Sequence, residues 1–332
     1  MKKITIGLVT YDRPILLKRA VKSILNQSYK NFVLYIGNDY IYKKVTFKSL
    51  GIKKTNKIII FNHNKNLGER DNLNFLLDKS KSEWFCWLGD DDYLHKDFFK
   101  TLYKKIVYSK KNNIVASYSN YSRAHLKNDK KINKYFLFNK EDFLVGFTSK
   151  KIRLIGTFGL IKVKVLKKIN GISKTGPSLK INNINTNHYP YCDPLLAIIL
   201  SNYGKILWTD ERLVYLNTDK NSITARTLEY ETYKSAEKFV FKKLKKINLD
   251  IKNKDKVNQI LENMVYWFLN HRISIIERTN PLINLIRSIK LIIDTHILFE
   301  NLPSNTNRYP LLKCSSIIFK AIYQSIKLSI GK

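Results

Sequence analysis

Four short apolar runs, each closed by a polar cluster, occupy the first hundred residues of this chain. Ile4 to Val9 gives way to Thr10-Tyr11-Asp12-Arg13-Pro14, after which Ile15-Leu16-Leu17, Ala20-Val21 and Ile24-Leu25 recur at helical spacing. Phe32 to Ile36 ends in Gly37-Asn38-Asp39, and Lys57 to Phe61 ends in Asn62-His63-Asn64. Leu73, Leu76 and Leu77 mark another helix before Trp84 to Leu88, which runs into Gly89-Asp90-Asp91-Asp92. Strands that alternate with helices in this way predict an α/β chain with a parallel sheet covered by helices. Such sheets bind ligands beyond the carboxyl ends of their strands. Thr10 to Arg13, Asn38-Asp39, Asn62 to Gly68 and Asp90 to Asp92 all fall at such ends.

Beyond Asp92 the alternation weakens. Ile114 to Tyr118 and Thr157 to Ile161 read as strands, and Val165 to Ile169 as a short helix stopped by Gly171. Residues 172–189 are polar and without a clear period. Asp193 to Asn202 reads as a helix, Ile206 to Trp208 and Leu213 to Leu216 as short strands, and everything from about Thr227 onward as helical. The expected division is a first domain over 1–225 and a helical region over 226–332. No internal repeat is visible.

Composition bounds the function classes. The three cysteines, Cys86, Cys192 and Cys314, lie far apart, with no C-x-x-C pair, which argues against a cysteine zinc cluster or a disulfide framework and for a reducing, cytoplasmic setting. The basic, apolar start lacks a small-residue cleavage site, so it reads as a first strand rather than a signal peptide. No run of about 18 apolar residues suggests a spanning helix. Sixty Lys plus Arg against 26 Asp plus Glu give a net charge of +34. That excess has two readings: solvated surface lysines, or attraction to phosphates and anionic lipid heads.

Asp90-Asp91-Asp92 is the sharpest chemical feature. Adjacent carboxylates repel unless a cation or N–H donors compensate them. A hard divalent metal takes oxygen ligands and shares its shell with water and phosphate. Alternate residues of an extended segment point the same way, so Asp90 and Asp92 can share a face. The plainer alternative is a turn capping a helix that begins near Leu94.

With these residues in view, the sequence resembles the family 2 inverting glycosyltransferases. Ile6-Gly7-Leu8-Val9-Thr10-Tyr11-Asp12-Arg13-Pro14 looks like their V-V-I-P-T-Y-N-R-P opening, and Leu25-Asn26-Gln27-Ser28-Tyr29 like the L-x-Q-[ST]-Y end of their first helix. Asn66-Leu67-Gly68, Asn72 and Asn74 fit an N-x-G-x-x-x-N-x-N pattern; Glu83 to Leu88 and Asp90 to Asp92 stand where G-E-Y-I-x-x-L and D-x-D would. The resemblance is close over about 3–100 and loose over about 145–225. It implies the GT-A fold, a Rossmann-like, mostly parallel sheet flanked by helices, here with a C-terminal helical extension.

The resemblance also implies a nucleoside-diphosphate sugar donor and a Mn²⁺ or Mg²⁺ ion. Asp92 would be the direct metal ligand, with Asp90 as a second metal or ribose contact. Asp39 would accept from the nucleobase, with a simple turn residue as the alternative. Thr10, Tyr11, Arg13, Asn66, Gly68, Asn72 and Asp91 would complete the nucleotide-sugar site. Three departures are notable: Val9 for the usual Pro, Asp12 for Asn, and Asn38 for the first acid of a D-D pair. Inverting transfer needs a base for the acceptor hydroxyl. By resemblance this is Asp193 in Tyr191-Cys192-Asp193-Pro194, followed by Gly204-Lys205-Ile206, Glu211 to Tyr215 and Asn221 to Thr224. Asp193 also reads as an N-cap with Pro194 at the first helical position. Thr218 and Asp219 stand where the family has a last-loop His. Gly156 and Phe158-Gly159 resemble its small-residue segment beneath the acceptor, or are ordinary strand packing. The six histidines, including His63 and His188, read as structural or surface residues.

The C-terminal region repeats apolar residues at Leu282, Leu285, Ile286 and Ile289, and lysines at Lys313, Lys320 and Lys327. This suits either an interfacial helix on anionic lipid, peripheral on the inner face of the cytoplasmic membrane, or a packed helical hairpin. The expected partners are the sugar-nucleotide donor and a glycan or lipid-linked glycan acceptor in capsule, lipopolysaccharide or O-antigen synthesis, and no nucleic acid. The competing class, a basic nucleic-acid-binding protein, rests on charge and on 20 Tyr plus 17 Phe, without any recognised binding motif.

Overall fold

The computed structural model describes residues 3–109, 112–123, 134–173, 176–177, 180–181, 184–185, 190–217, 230–248 and 250–276. The chain divides into two compact units, Met1–Phe143 with Ile152–Ser222, and Leu144–Lys151 with Ile223–Lys332.

The first unit opens with β1 (Ile4–Thr10), α1 (Pro14–Leu25), β2 (Phe32–Asn38), α2 (Phe47–Leu50), β3 (Ile58–Asn62), α3 (Glu69–Lys79) and β4 (Trp84–Gly89). It continues with β5 (Tyr93–Leu94), α4 (Phe98–Tyr108), β6 (Ile114–Arg123), β7 (Tyr135–Phe138) and α5 (Lys140–Thr148), which runs into the second unit. Then come β8 (Gly159–Lys162), α6 (Val163–Lys168), β9 (Lys180–Ile181), β10 (Ile184–Asn185), α7 (Cys192–Leu200) and β11 (Lys205–Leu216). Among the described residues one sheet runs in the order β3-β2-β1-β4-β8-β6-β11-β5, with β7 also on β11.

β1, β2, β3 and β4 pair in parallel, with Thr10 opposite Asn38, Asn38 opposite Asn62, and Val9 opposite Gly89. This register lines the ends of four strands along one sheet edge. Helices cover both faces. α1 buries Leu17, Ala20, Val21 and Ile24, one stripe at 3.6-residue spacing, and α4 adds Phe98, Phe99, Leu102 and Ile106 on the same core. α3 buries Leu73, Leu76 and Leu77, and the Trp87 indole N–H donates to the Leu73 carbonyl at 2.9 Å. Gly7 leaves room there for Phe85, whose ring would stand 2.6 Å from an added Cβ.

Several expectations need correction. No helix starts at Leu94: Tyr93–Leu94 pairs antiparallel with Val214–Tyr215, and α4 begins at Phe98. The two short strands expected over 206–216 are one strand, β11, with register shifts around Arg212. Asp210-Glu211 breaks the apolar pattern there because a bulge turns those residues out of the ladder. β8 lies antiparallel between β4 and β6, so the sheet is mixed beyond its first four strands. α5, α2 and β7 carried too little periodicity to be anticipated.

In the second unit, helices Tyr230–Asn248 and Lys254–Ile276 bury Ala236, Val240 and Leu244, and Ile260, Met264 and Phe268. A buried ion pair joins Glu237 to Arg272, whose Nε donates at 2.5 Å. Among the described residues no helix is long and apolar enough to cross a membrane. The amphipathic stretch over 282–327, His188 and the loop at 218–224 lie outside the described residues.

Candidate active site

The carboxyl edge of β1 and β2 holds a cleft lined by Thr10, Asp12, Arg13, Tyr40, Lys43 and Lys44, among others. Its back is held by two asparagines. Asn38 donates to the Lys43 carbonyl at 2.9 Å and to Asn62 Oδ1 at 2.9 Å, while Asn62 accepts from the Val45 N–H at 2.7 Å. An aspartate at 38 has no N–H to give, so the departure from the family's first acid suits this loop. Tyr11, about half exposed, meets Tyr40 edge-on at 5.3 Å, and Tyr40 meets Tyr42 at 5.5 Å.

Asp39 is buried at 4% exposure, and its two oxygens accept the Leu67 N–H at 2.8 Å and the Gly68 N–H at 2.7 Å. Burial raises its pKa, and those two N–H groups oppose the rise. Gly68 takes φ 78°, which lets its N–H turn toward Asp39, and Asn66 Oδ1 accepts the same N–H at 2.8 Å. Asn66 and Gly68 thus build the β3–α3 loop. Asn72 differs from expectation: it is 1% exposed, its amide donates to the Gly37 carbonyl at 3.0 Å, and its oxygen meets His63 Nε2 at 3.0 Å. It is a strut between α3 and β2, engaged at both ends of its amide. A Cβ on Gly37 would stand 2.1 Å from that oxygen, which explains the glycine. Asn74 plays the same part toward Ile172, giving and taking at 2.9 Å.

The acidic turn between β4 and β5 is held from three directions. Asp90 is fully enclosed; Thr10 Oγ1 donates to its Oδ2 at 2.6 Å, and Arg13 Nη2 stands 2.5 Å from its Oδ1. Asp91 accepts from Arg13 Nη1 at 3.0 Å, and its carbonyl accepts from the Arg19 guanidinium. Asp92 Oδ1 accepts the Asn217 N–H at 2.8 Å. The Tyr93–Tyr215 register and their stacked rings, 4.9 Å apart, bring Asn217 to that position. Asp90 and Asp92 therefore do not act as a matched pair: Asp90 turns inward as the anchor of Arg13. Burial pushes Asp90 up to about 6, against the pull of Arg13. Burial also pushes Asp92 up to about 8, and the charges of Asp91 and Asp193 add to the rise.

That shift bears on the metal. Asp92 is partly exposed, and Arg19 and the Asn217 N–H oppose the rise, so a cation at its carboxylate would favour the charged form further. Among the described residues no group of three His, Cys, Asp or Glu forms a cage. Asp92 could lend one carboxylate oxygen to a hard divalent ion, whose shell would otherwise need water and phosphate oxygens.

Asp193 stands in the first turn of α7, not at its cap. The helix starts at Cys192 after Tyr191 in the left-handed region at φ 64°, so Pro194 is the third helical residue. The Asp193 carboxylate turns to Thr157, whose N–H donates to Oδ1 at 2.9 Å and whose hydroxyl donates to the same oxygen. Gly156 is required beneath it, since an added Cβ would lie 1.9 Å from the Asp193 carbonyl oxygen. Gly159 likewise faces the Tyr118 ring at 2.3 Å. Gly156→Ala should therefore destabilise the fold by about 1–3 kcal/mol and shift the first turn of α7; urea unfolding and a crystal structure would check both. A variant of wild-type stability would show that the segment before β8 moves aside freely. Thr157, Tyr118, Arg19 and Asn217 carried no motif in the sequence, because each acts on a residue distant in the chain.

A sheet with four parallel strands, a cleft at their carboxyl ends and an acidic turn beside it is the arrangement of the GT-A fold class. Residues 5–169 match the family model "Glycosyl transferase family 2". This part of the chain belongs to that family. A Campylobacter jejuni GalNAc(5)-diNAcBac-PP-undecaprenol beta-1,3-glucosyltransferase is 30% identical over 107 residues, 32% of this chain and 35% of that protein. Glycosyltransferase GlyA of Streptococcus pneumoniae is 25% identical over 122 residues, 37% of this chain and 18% of that protein. The matched stretch thus spans about a third or less of these relatives. Among solved structures, S. aureus TarS 1-349 in complex with UDP-GlcNAc has a TM-score of 0.66 at 12% identity, covering 99% of this chain and 92% of that one. The Pyrobaculum calidifontis mannosyltransferase PcManGT in complex with GDP-Man and Mn²⁺ has a TM-score of 0.53 at 12% identity, covering 98% and 87%. These likenesses give the GT-A fold.

Proposed function

We propose that this protein transfers a sugar, with inversion, from a nucleoside-diphosphate sugar to a hydroxyl of a glycan or lipid-linked glycan in surface polysaccharide synthesis. The observation that carries the proposal is the acidic turn at the sheet's carboxyl edge, where Arg13 engages Asp90 and Asp91 while the partly exposed Asp92 accepts the Asn217 N–H. Thr10 and Arg13 line the cleft taken as the nucleotide end, Tyr11 packs edge-on against its lining Tyr40, and Asp39 holds the β3–α3 loop. A divalent ion on Asp92 would supply Lewis-acid stabilisation of the departing diphosphate. The acceptor O–H gives its proton to Asp193 while its oxygen bonds to the anomeric carbon. The bond from that carbon to phosphate breaks, and its electron pair leaves with the nucleoside diphosphate.

The donor class is supported by the UDP-GlcNAc and GDP-Man bound in two proteins of like fold. The lipid-linked acceptor, and with it a contact on an anionic membrane surface, is supported by the name of the Campylobacter relative and by the net charge of +34.

A thermal-shift panel of UDP-GlcNAc, UDP-glucose, UDP-galactose and GDP-mannose, each with Mn²⁺, tests the reading. A ligand at a hundred times its Kd stabilises by about 2.7 kcal/mol. For a chain of this size that raises Tm by about 2–4 °C. No shift with any of the four would count against the donor site.

A further inference from the structure

We propose that Thr157 is the positioning residue that sets where the Asp193 carboxylate stands relative to the acidic turn. The inference rests on the reading of Asp193 as the base and goes one residue further.

Thr157 lies in the segment before β8 and is 6% exposed. Three of its polar groups are engaged, and they face two different elements. Its carbonyl accepts the Trp87 N–H at 3.2 Å, and Trp87 is on β4, two residues before Gly89 and the acidic turn. Its N–H and hydroxyl both donate to Asp193 Oδ1 on α7. A single residue thus joins the strand that presents Asp90 to Asp92 with the helix turn that presents Asp193. The residue before it is held as well. The buried Tyr118 hydroxyl of β6 donates to the Gly156 carbonyl at 2.9 Å, and the missing Cβ of Gly156 lets the Asp193 backbone close onto this segment. Neighbours on three sides leave the segment little freedom.

The chemistry of the donors matters. Two donors on one carboxylate oxygen fix the plane of the group and stabilise its charged form. A general base must be held within hydrogen-bond reach of the proton it takes. Loss of orientation of about 1 Å costs up to about a hundredfold in rate. Valine has the shape of threonine without the hydroxyl, so Thr157→Val removes one donor and leaves the main chain in place.

The test measures nucleoside diphosphate release from UDP-GlcNAc or GDP-mannose, with water as acceptor and Mn²⁺ present. Thr157→Val should lower kcat about tenfold to a hundredfold, with the donor KM within about twofold. Thr157→Ser should return the rate to within about threefold of wild type. A crystal structure of Thr157→Val should show the Asp193 carboxylate turned away from its wild-type position; this reading needs no donor. If valine at 157 prevents folding, Thr157→Ala removes the same hydroxyl and is read in the same way. A valine variant with wild-type kcat, or one whose Asp193 superposes on the wild type, overturns the proposal. Asp193→Asn separates the two levels: if that variant turns over normally the base reading itself fails, whereas an inactive Asp193→Asn beside a fully active Thr157→Val removes only the role of Thr157.

Discussion

Asp193→Asn is expected to lower transfer by about a thousandfold and leave donor affinity unchanged. Asparagine keeps an oxygen where Thr157 donates, so the hydrogen bonds to Oδ1 and the first turn of α7 survive the change. It loses the capacity to take a proton. General acid–base catalysis contributes about a hundredfold to ten-thousandfold, and a thousandfold corresponds to about 4 kcal/mol of barrier. Asp193 stands on α7, whereas the nucleotide cleft is lined from the ends of β1 and β2. Titration of UDP or GDP with Mn²⁺ should therefore give the wild-type Kd. Turnover within tenfold of wild type would remove Asp193 from the reaction and return it to the structural part of α7.

The second large effect is expected from Asp92→Ala. It should abolish the Mn²⁺-dependent rise in Tm produced by nucleoside diphosphate, about 2–4 °C in the wild type under saturating conditions. Two features single out Asp92 within the triplet. Asp90 is closed off and engaged by Thr10 and Arg13, and Asp91 is engaged by Arg13. Asp92, partly exposed, has partial desolvation and two neighbouring carboxylates acting against its charge, offset in part by Arg19 and the Asn217 N–H. A cation placed there relieves that imbalance. Asp90→Ala should behave differently. It leaves Arg13 without its enclosed partner, so the loss should appear in the metal-free Tm as well as in ligand binding. Should the nucleotide shift persist in Asp92→Ala, the ion is held elsewhere. Steeply salt-dependent binding to RNA or DNA that also survives the substitution would favour the nucleic-acid reading of the charge instead.

Comparison of sequence with structure separates local from long-range information. The four apolar runs and their polar ends were legible because β1, β2 and β4 are buried on both faces and each turn lies within a few residues of its strand. α1 was legible from one stripe, Leu17 to Ile24, and β2 from an unbroken apolar run. The acidic turn and Asp193 stood out through their chemistry and the order of motifs around them. β7 and α5 were not legible because neither has a clean period, and β11 looked like two strands because a bulge interrupts its alternation.

The sequence by itself determined the α/β class and the strand ends at which its polar clusters gather. These depend on periodicity and composition within a dozen residues at a time. Only the tertiary structure decided what each polar residue does. Asn72 became a strut for Gly37, Asp90 the anchor of an arginine 77 positions earlier, and Asp92 the acceptor of an N–H 125 positions later. Thr157 met Asp193 across 36 positions, with no motif to announce it. Such pairings follow from strand order and register, which bring distant backbone into contact at fixed spacing. No local pattern encodes them, because the free energy that selects them is gained only when the whole sheet is assembled.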